Sequence, residues 1–429
     1  MPAGSNGSDR TATLSYPGGE LGLDVVEATC GSDALNLGSL LAETGLTTLD
    51  VGFVNTSACT SSITYIDGAE GILRHRGYPI DQLAEQASFL EVSYLLIYGE
   101  DPTEAQLAEF SEKVLAQTAL PGQMMPLLQA FPRDSHPMRV LSGGVSLWGT
   151  HGVVLDIDDP KAVDMATARL LGRGPTLAAA IERIRKGQDP IDPDPSLGYA
   201  ENFLRMTFGP EYEITEEIER ALDMLLVLHS DHEQNCSTST VRMVGSSEAP
   251  LYASITGGIN ALYGPLHGGA NQAVLEMLER IESEGGDATG YMDKVKNKVD
   301  GVKLMGFGHR VYKSYDPRAA IAKEHAHELL SKSNDPLLEI ALKLEETALA
   351  DDYFVERKLY PNVDFYTGLI YHAMGFPTDM FTVLFALGRM PGWIAHWREM
   401  REDPSTKINR PRQVYTGPAE RTFTPISRR

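Results

Sequence analysis

Past roughly the first 50 residues, apolar side chains recur with the period of an α-helix, and this spacing constrains the fold more than any other feature of the chain. Leu222, Leu225, Leu226 and His229 fall on one helical face, as do Val274, Leu275, Leu278 and Ile281. Start signals accompany the pattern. Asp335-Pro336 puts a capping carboxylate before a proline at the first helical position, ahead of Leu337, Ala341, Leu344 and Ala348. Thr378-Asp379 opens another run through Phe381 and Phe385, which Met390-Pro391-Gly392 is expected to break. Only near the amino end does the pattern change: Thr11–Tyr16 and Leu21–Val26 partly alternate around Pro17-Gly-Gly19, as in a β-hairpin. The expected fold class is mainly α, with a small N-terminal β region.

With 429 residues the chain exceeds the roughly 250–300 at which one hydrophobic core stops growing, so more than one domain is expected. The Pro/Asp-rich stretch Gly187–Ser196 reads as a loop between helices and not as a linker. No stretch approaches the ~18 uninterrupted apolar residues of a spanning helix. Met1-Pro-Ala-Gly-Ser-Asn lacks the basic start and apolar centre of an export signal, so a cytoplasmic location without membrane association is expected. Cys30, Cys59 and Cys236 form no CxxC pair, which fits reduced thiols better than disulfides or a cysteine-bound zinc. A net charge of -22 argues against nucleic-acid partners. In so acidic a chain, an anionic substrate needs a local cluster of arginines.

Four segments set histidine, aspartate or arginine beside glycine or a helix end: His229-Ser-Asp-His-Glu-Gln-Asn235, Gly264-Pro-Leu-His-Gly-Gly-Ala-Asn271, Met305 to Arg318, and Tyr360-Pro-Asn-Val-Asp-Phe-Tyr-Thr-Gly368. His267 precedes two glycines and a helical pattern, a position that disfavours imidazolium. It reads either as a neutral donor to a carbonyl oxygen gaining charge or as part of a tight turn. Gly306 and Gly308 let backbone approach a ligand beside His309, and Lys313 and Arg318 add positive charge. The GxG here lacks its third glycine and follows no strand, so it is no dinucleotide fingerprint. Asp364 reads as a helix N-cap, or as a general base if an apolar site around Phe365 and Tyr366 raises its pKa. His229 and His232 stand three apart on an expected helix, a spacing open to zinc, but the order is neither HExxH nor HxxEH; packing by His229 and a hydrogen bond from His232 to a carboxylate is the preferred reading. Arg389 and Arg410-Pro-Arg412 are either solvated or bidentate carboxylate ligands.

Taken in order, these segments resemble the citrate synthase family, in its bacterial, hexamer-associated branch, from Tyr16-Pro-Gly-Gly to Arg410-Pro-Arg-Gln-Val-Tyr-Thr-Gly417. The resemblance implies condensation of acetyl-CoA with oxaloacetate and hydrolysis of citryl-CoA, the entry step of the tricarboxylic acid cycle, with no metal or redox cofactor. It implies that His267 stabilises the enol of acetyl-CoA, Asp364 removes the methyl proton and His309 polarises the oxaloacetate ketone. It places His232, Arg318 and Arg389 on the oxaloacetate carboxylates, with Arg410 from a neighbouring subunit of a homodimer or larger homo-oligomer. Met305, Gly306, Phe307, Gly308, Lys313 and Arg357 are then the CoA contacts. The implied division is a β-containing region 1–52, a large helical domain 53–267 and 375–429, and a small helical domain 268–374 that closes over the site. NADH-regulated members carry a cysteine in the loop before the His229–Glu233 segment. Here that loop, Phe208–Glu213, is shorter and has none, so NADH inhibition and the hexamer that accompanies it are not expected. The same chemistry on propionyl-CoA, a silent paralogue binding CoA or citrate, and a zinc hydrolase built on His229 and His232 are the competing readings.

Overall fold

The computed structural model describes residues 10–150, 155–331 and 335–429, apart from the side chain of Asp300; the Met1–Asn6 reading lies outside them. The described residues form eighteen α-helices and six short strands, so the chain is mainly α. They divide into two compact units: residues up to Thr60 with Asn409–Arg429, and Ser61–Ile408.

In the first unit, β1 (Thr11–Tyr16) and β2 (Gly19–Val26) pair antiparallel with Tyr16 opposite Gly19, and β3 (Ala34–Leu35) adds to the other edge of β2. The expected hairpin is present, but Pro17 and Gly18 are its whole loop, because the second strand begins at Gly19, two residues earlier than the Leu21 of the sequence pattern. Much of this unit is exposed, including Leu49, Val51, Phe53, Val54, Phe423 and Ile426.

The second unit holds the helical core, and its helices start where capping residues stand. Asn235 accepts from Ser237 and Thr238 N–H, while Asp316-Pro317 and Asp335-Pro336 each cap a helix whose first residue is the proline. Helix Phe381–Glu402 runs through the middle, with Trp393 and Trp397 at 1% exposure or less.

The break expected at Met390-Pro391-Gly392 is absent, because that helix continues unbroken through Pro391. A proline there removes a ladder hydrogen bond and costs about 3 kcal/mol in isolation, but the surrounding core outweighs it. Gly392 N–H donates to Ser230 O at 3.0 Å, tying this helix to the end of helix Glu216–His229. Gly388 and Gly392, one turn apart, permit this close approach. A Cβ on Gly388 would lie 2.8 Å from His229 Cβ, and one on Gly392 would lie 2.3 Å from Ser230 O.

Two further differences bear on the site. Helix Glu216–His229 stops at His229, so His232 sits in the following loop and not on a shared helix. A second sheet, β4 (Thr64–Asp67), β5 (Ile72–His75) and β6 (Tyr78–Pro79), occurs where no strand was expected. Its β4–β5 turn lies against residues 311–315: Gly68 O accepts from Lys313 N–H at 2.7 Å, and a Cβ on Gly68 would come within 2.1 Å of Val311 O.

Candidate active site

Glycines shape the backbone around His309. Gly306 and Gly308 have φ of 77° and 78°, the left-handed region that L side chains avoid. The strip they form is zipped to the start of helix Val363–Ala373: Gly308 N–H donates to Tyr360 O at 2.8 Å, and Asn362 donates from its backbone to Gly306 O and from its side chain to Gly308 O, both at 2.9 Å. His309 Nδ1 accepts from Val311 N–H at 3.0 Å and Tyr312 N–H at 3.3 Å. The ring proton therefore resides on Nε2, the nitrogen left for a ligand. Burial and then the charge of Arg318 push this imidazole down to about 4, so it is neutral at physiological pH.

His267 occupies the turn Gly264–Gly268, two residues before Gly269 caps helix Ala270–Ser283. Its Nε2 lies 3.3 Å from Ser237 N–H, which can only donate, and 2.8 Å from the Ser237 hydroxyl. Nε2 is thus the acceptor and Nδ1 carries the proton. Burial, with Arg389 and Arg310, pushes His267 down to about 4. The sequence reading credited the helix end with keeping this ring neutral; in the structure burial dominates and two arginines reinforce it.

Asp364 is not the N-cap of its helix. Asn362 takes that place, its side chain accepting from Asp364 N–H at 3.0 Å. The carboxyl is left without that partner, and its Oδ1 is buried with no hydrogen bond. Burial pushes the group up to about 6 despite the opposing charge of Arg318.

Two arginines lie among these groups. Arg389, 1% exposed, gives only Nε to a partner among the described residues, to His229 O at 2.6 Å, and burial pushes it down to about 10. Arg318, 3% exposed, is gripped by both oxygens of Asp316, from Nε at 3.0 Å and Nη2 at 2.9 Å. His232 Nε2 is 3.2 Å from Tyr312 OH, and its ring centroid is 5.3 Å from that of His309. It meets a phenol where a carboxylate was expected, and burial and Arg318 hold it well below the usual histidine range. The charges of Arg318 and Arg389 both act on His232 and Asp364. His232, His309, Arg318, Asp364 and Arg389 thus form one cluster, which His267 joins through Arg389 and the Phe385 ring at 6.3 Å.

The remaining candidates are more dispersed. Phe307 is buried edge-on against Phe365, Lys313 is exposed with Nζ 3.0 Å from Arg310 O, and Met305 N–H points at Met277 Sδ. Arg357 lies over the Tyr353 ring at 3.9 Å and lines a cavity of about 770 Å³ with Lys296 and Lys343. Arg410 belongs to the other compact unit.

Sequence reasoning passed over several contributors. Ser237 sets the His267 tautomer and is held by Trp393 Nε1 at 3.1 Å. Asp316 orients Arg318, and its Asp-Pro signature is the same one recognised at Asp335-Pro336. His75, at the end of β5, is completely buried with Nε2 unpartnered, and it feels the charges of Asp231, Arg389 and Arg318. Among the described residues no three His, Cys, Asp or Glu side chains are grouped to hold a metal, and no helix is long and apolar enough to cross a membrane.

Two neutral imidazoles of opposite tautomer, a carboxyl that ionises near neutrality and two buried arginines suit proton abstraction next to a polarised carbonyl. Mainly helical architecture and this site together define a condensing enzyme of the transferase type. Residues 52–412 match the family described as citrate synthase, C-terminal domain. "Citrate synthase 1" of Mycobacterium tuberculosis is 60% identical over 428 residues, covering 98% of this chain and 99% of that protein. Citrate synthase of Corynebacterium glutamicum is 59% identical, covering 97% of each. Among solved structures, citrate synthase from Pyrobaculum aerophilum superposes with a TM-score of 0.82 at 32% identity and 98% coverage of both chains. Citrate synthase from Thermoplasma acidophilum, solved as a ternary complex with carboxymethyl coenzyme A and oxaloacetate, gives 0.81 at 33% identity, covering 89% of this chain and 100% of that one. The chain belongs to the citrate synthase family.

Proposed function

We propose that the protein condenses acetyl-CoA with oxaloacetate and hydrolyses the citryl thioester to citrate and CoA, as an acyltransferase that needs neither metal nor redox cofactor. The observation that carries this is Asp364, whose Oδ1 is buried without a hydrogen-bond partner among the described residues and which titrates at about 6 under the charges of Arg318 and Arg389. A thioester methyl is a poor acid, so a carboxylate base needs a donor on the thioester oxygen. His267 Nδ1–H is that donor, and it stabilises the enol while Asp364 takes the proton. His309 Nε2–H polarises the oxaloacetate ketone and protonates the alkoxide that forms on carbon–carbon bonding.

His232, Arg318 and Arg389 hold the dicarboxylate, and the terminal nitrogens of Arg389 have no protein partner among the described residues, which supports that role. Met305–Gly308 backbone, Lys313 and Arg357 contact CoA. Residues 268–374 close as a small domain onto 53–267 and 375–429, excluding water once both substrates are bound. The working form is a cytoplasmic homodimer or larger homo-oligomer in which Arg410 comes from the neighbouring subunit; the exposed apolar side chains of the first unit support an interface there.

The test is CoA thiol release by metal-free protein with oxaloacetate and either acetyl-CoA or propionyl-CoA, alongside Asp364→Asn and His309→Ala. Turnover of acetyl-CoA that both substitutions abolish is the expected result. Preference for propionyl-CoA would make the protein a 2-methylcitrate synthase, and absence of turnover would overturn both enzyme readings.

A further inference from the structure

Glu345 lies in helix Pro336–Ala350, has no role assigned above, and is 2% exposed. A buried carboxylate is costly unless its oxygens are satisfied, and here three side chains from three segments converge on it. Tyr315 OH donates to Oε1 at 2.7 Å, while Tyr366 OH and Lys323 Nζ both donate to Oε2. Tyr315 directly precedes Asp316, which grips Arg318; Tyr366 lies two residues beyond Asp364 and is fully buried. Lys323 is on helix Pro317–Leu330, the helix whose second residue is Arg318.

The start of helix Pro317–Leu330, which carries Arg318, and helix Val363–Ala373, which carries Asp364, are therefore joined by two hydrogen-bonded links. One link is direct, Val363 N–H to Asp316 Oδ2 at 3.1 Å. The other runs from Tyr315 through Glu345 to Tyr366. One link alone permits rotation about it, whereas two fix the angle between the segments. That angle sets where the Asp364 carboxyl lies relative to Arg318.

We propose that Glu345 is a positioning residue for the condensation, holding Tyr315 and Tyr366 so that Asp364 is aimed at the substrate methyl in a fixed relation to Arg318. The inference rests on the reading of Asp364 as the base. The groups facing Glu345 are Lys323, Tyr315 and Tyr366; those facing Asp364 are Arg318, Asp316 and Arg389, with Tyr371 on its own helix. Only burial and Asp316 push Asp364 up, so a helix freed to tilt its carboxyl toward water lets it ionise at lower pH.

The experiment compares Glu345→Gln, Tyr366→Phe and Tyr315→Phe with the parent full-length protein by melting temperature, kcat, KM for each substrate and the pH profile of kcat. Each tyrosine substitution deletes one hydroxyl, so the comparison survives if Glu345→Gln fails to fold. A folded variant should lose about tenfold in kcat through misalignment, with KM for acetyl-CoA little changed. Its acidic limb should move to lower pH, and Glu345→Gln combined with Tyr366→Phe should be no worse than the more damaging single change. A fall in melting temperature with kcat and the acidic limb unchanged in all three overturns the proposal and leaves Glu345 a structural ion pair. Asp364→Asn, assayed in parallel, separates the two levels: if it keeps full turnover, the base assignment itself is wrong.

Discussion

Placing Oδ1 of Asp364 where neither water nor a donor reaches it raises the pH at which the carboxyl ionises to about 6, from an ordinary 3.8. The folded state then holds the proton more tightly than the unfolded chain. The stabilisation this gives is full below the unfolded value and lost as pH rises through about 6. At neutral pH the protein carries the cost of a buried charge, at most ~3 kcal/mol for a shift of this size. Asp364→Asn should therefore melt higher than the parent at pH 7.5 while losing turnover, and its advantage should vanish near pH 4, a pattern that scanning calorimetry across pH would reveal. The parent's kcat should fall on the acid side with a midpoint near 6, because His267 and His309, at about 4, remain neutral through that range. A midpoint near 4 in the pH–rate profile would contradict that assignment. The residue types at 267, 309 and 364 were legible in the sequence. The neighbours that tune them were not: Asn362 relieves Asp364 of capping, and Ser237 selects the His267 tautomer across 30 positions.

Helix starts were readable because a cap is a local interaction: Asp335-Pro336 and the hairpin at Pro17-Gly18 appear where the pattern puts them. The helix through Pro391 was not, since its continuation depends on partners far along the chain. Gly392 gives its N–H to Ser230, and Arg389 gives its Nε to His229, so one buried helix supports the whole His229–Asn235 segment. The β4–β5 hairpin escaped notice for a related reason: four-residue strands carry little periodicity, and Gly68 is required by Val311 rather than by its own turn alone. Gly392→Ala puts a methyl 2.3 Å from Ser230 O and 2.4 Å from Asp231 Oδ1. Neither backbone nor a buried carboxylate yields easily, so the segment carrying His232 must shift. The expected outcome is a loss of about 1–3 kcal/mol in stability and a KM for oxaloacetate that rises more than that for acetyl-CoA. Equal changes in the two KM values, measured by steady-state kinetics, would mean that the helix does not support the dicarboxylate site.

At the scale of the whole molecule, a net charge of -22 sets the problem that the arginines answer. Arg318 and Arg389 are buried at the site, but a dicarboxylate bound beside Asp316 and Asp364 gains from a third cation. The proposed source is Arg410 of a neighbouring subunit, from a tail without helix or strand through residue 425 whose Val414, Tyr415, Phe423 and Ile426 are all exposed. Apolar side chains presented together in this way call for a covering surface. If the tail serves the neighbour, each site takes Asp364 from one chain and Arg410 from the other. Arg410→Ala and Asp364→Asn proteins should each be nearly inactive alone. Unfolded together and refolded as a mixture, half of the dimers are mixed, and one of the two sites in each regains both residues, so activity should recover to about a quarter of the parent value. If Arg410 serves its own chain, every site in the mixture still lacks one of the two groups, and the thiol-release assay should show no recovery at any mixing ratio.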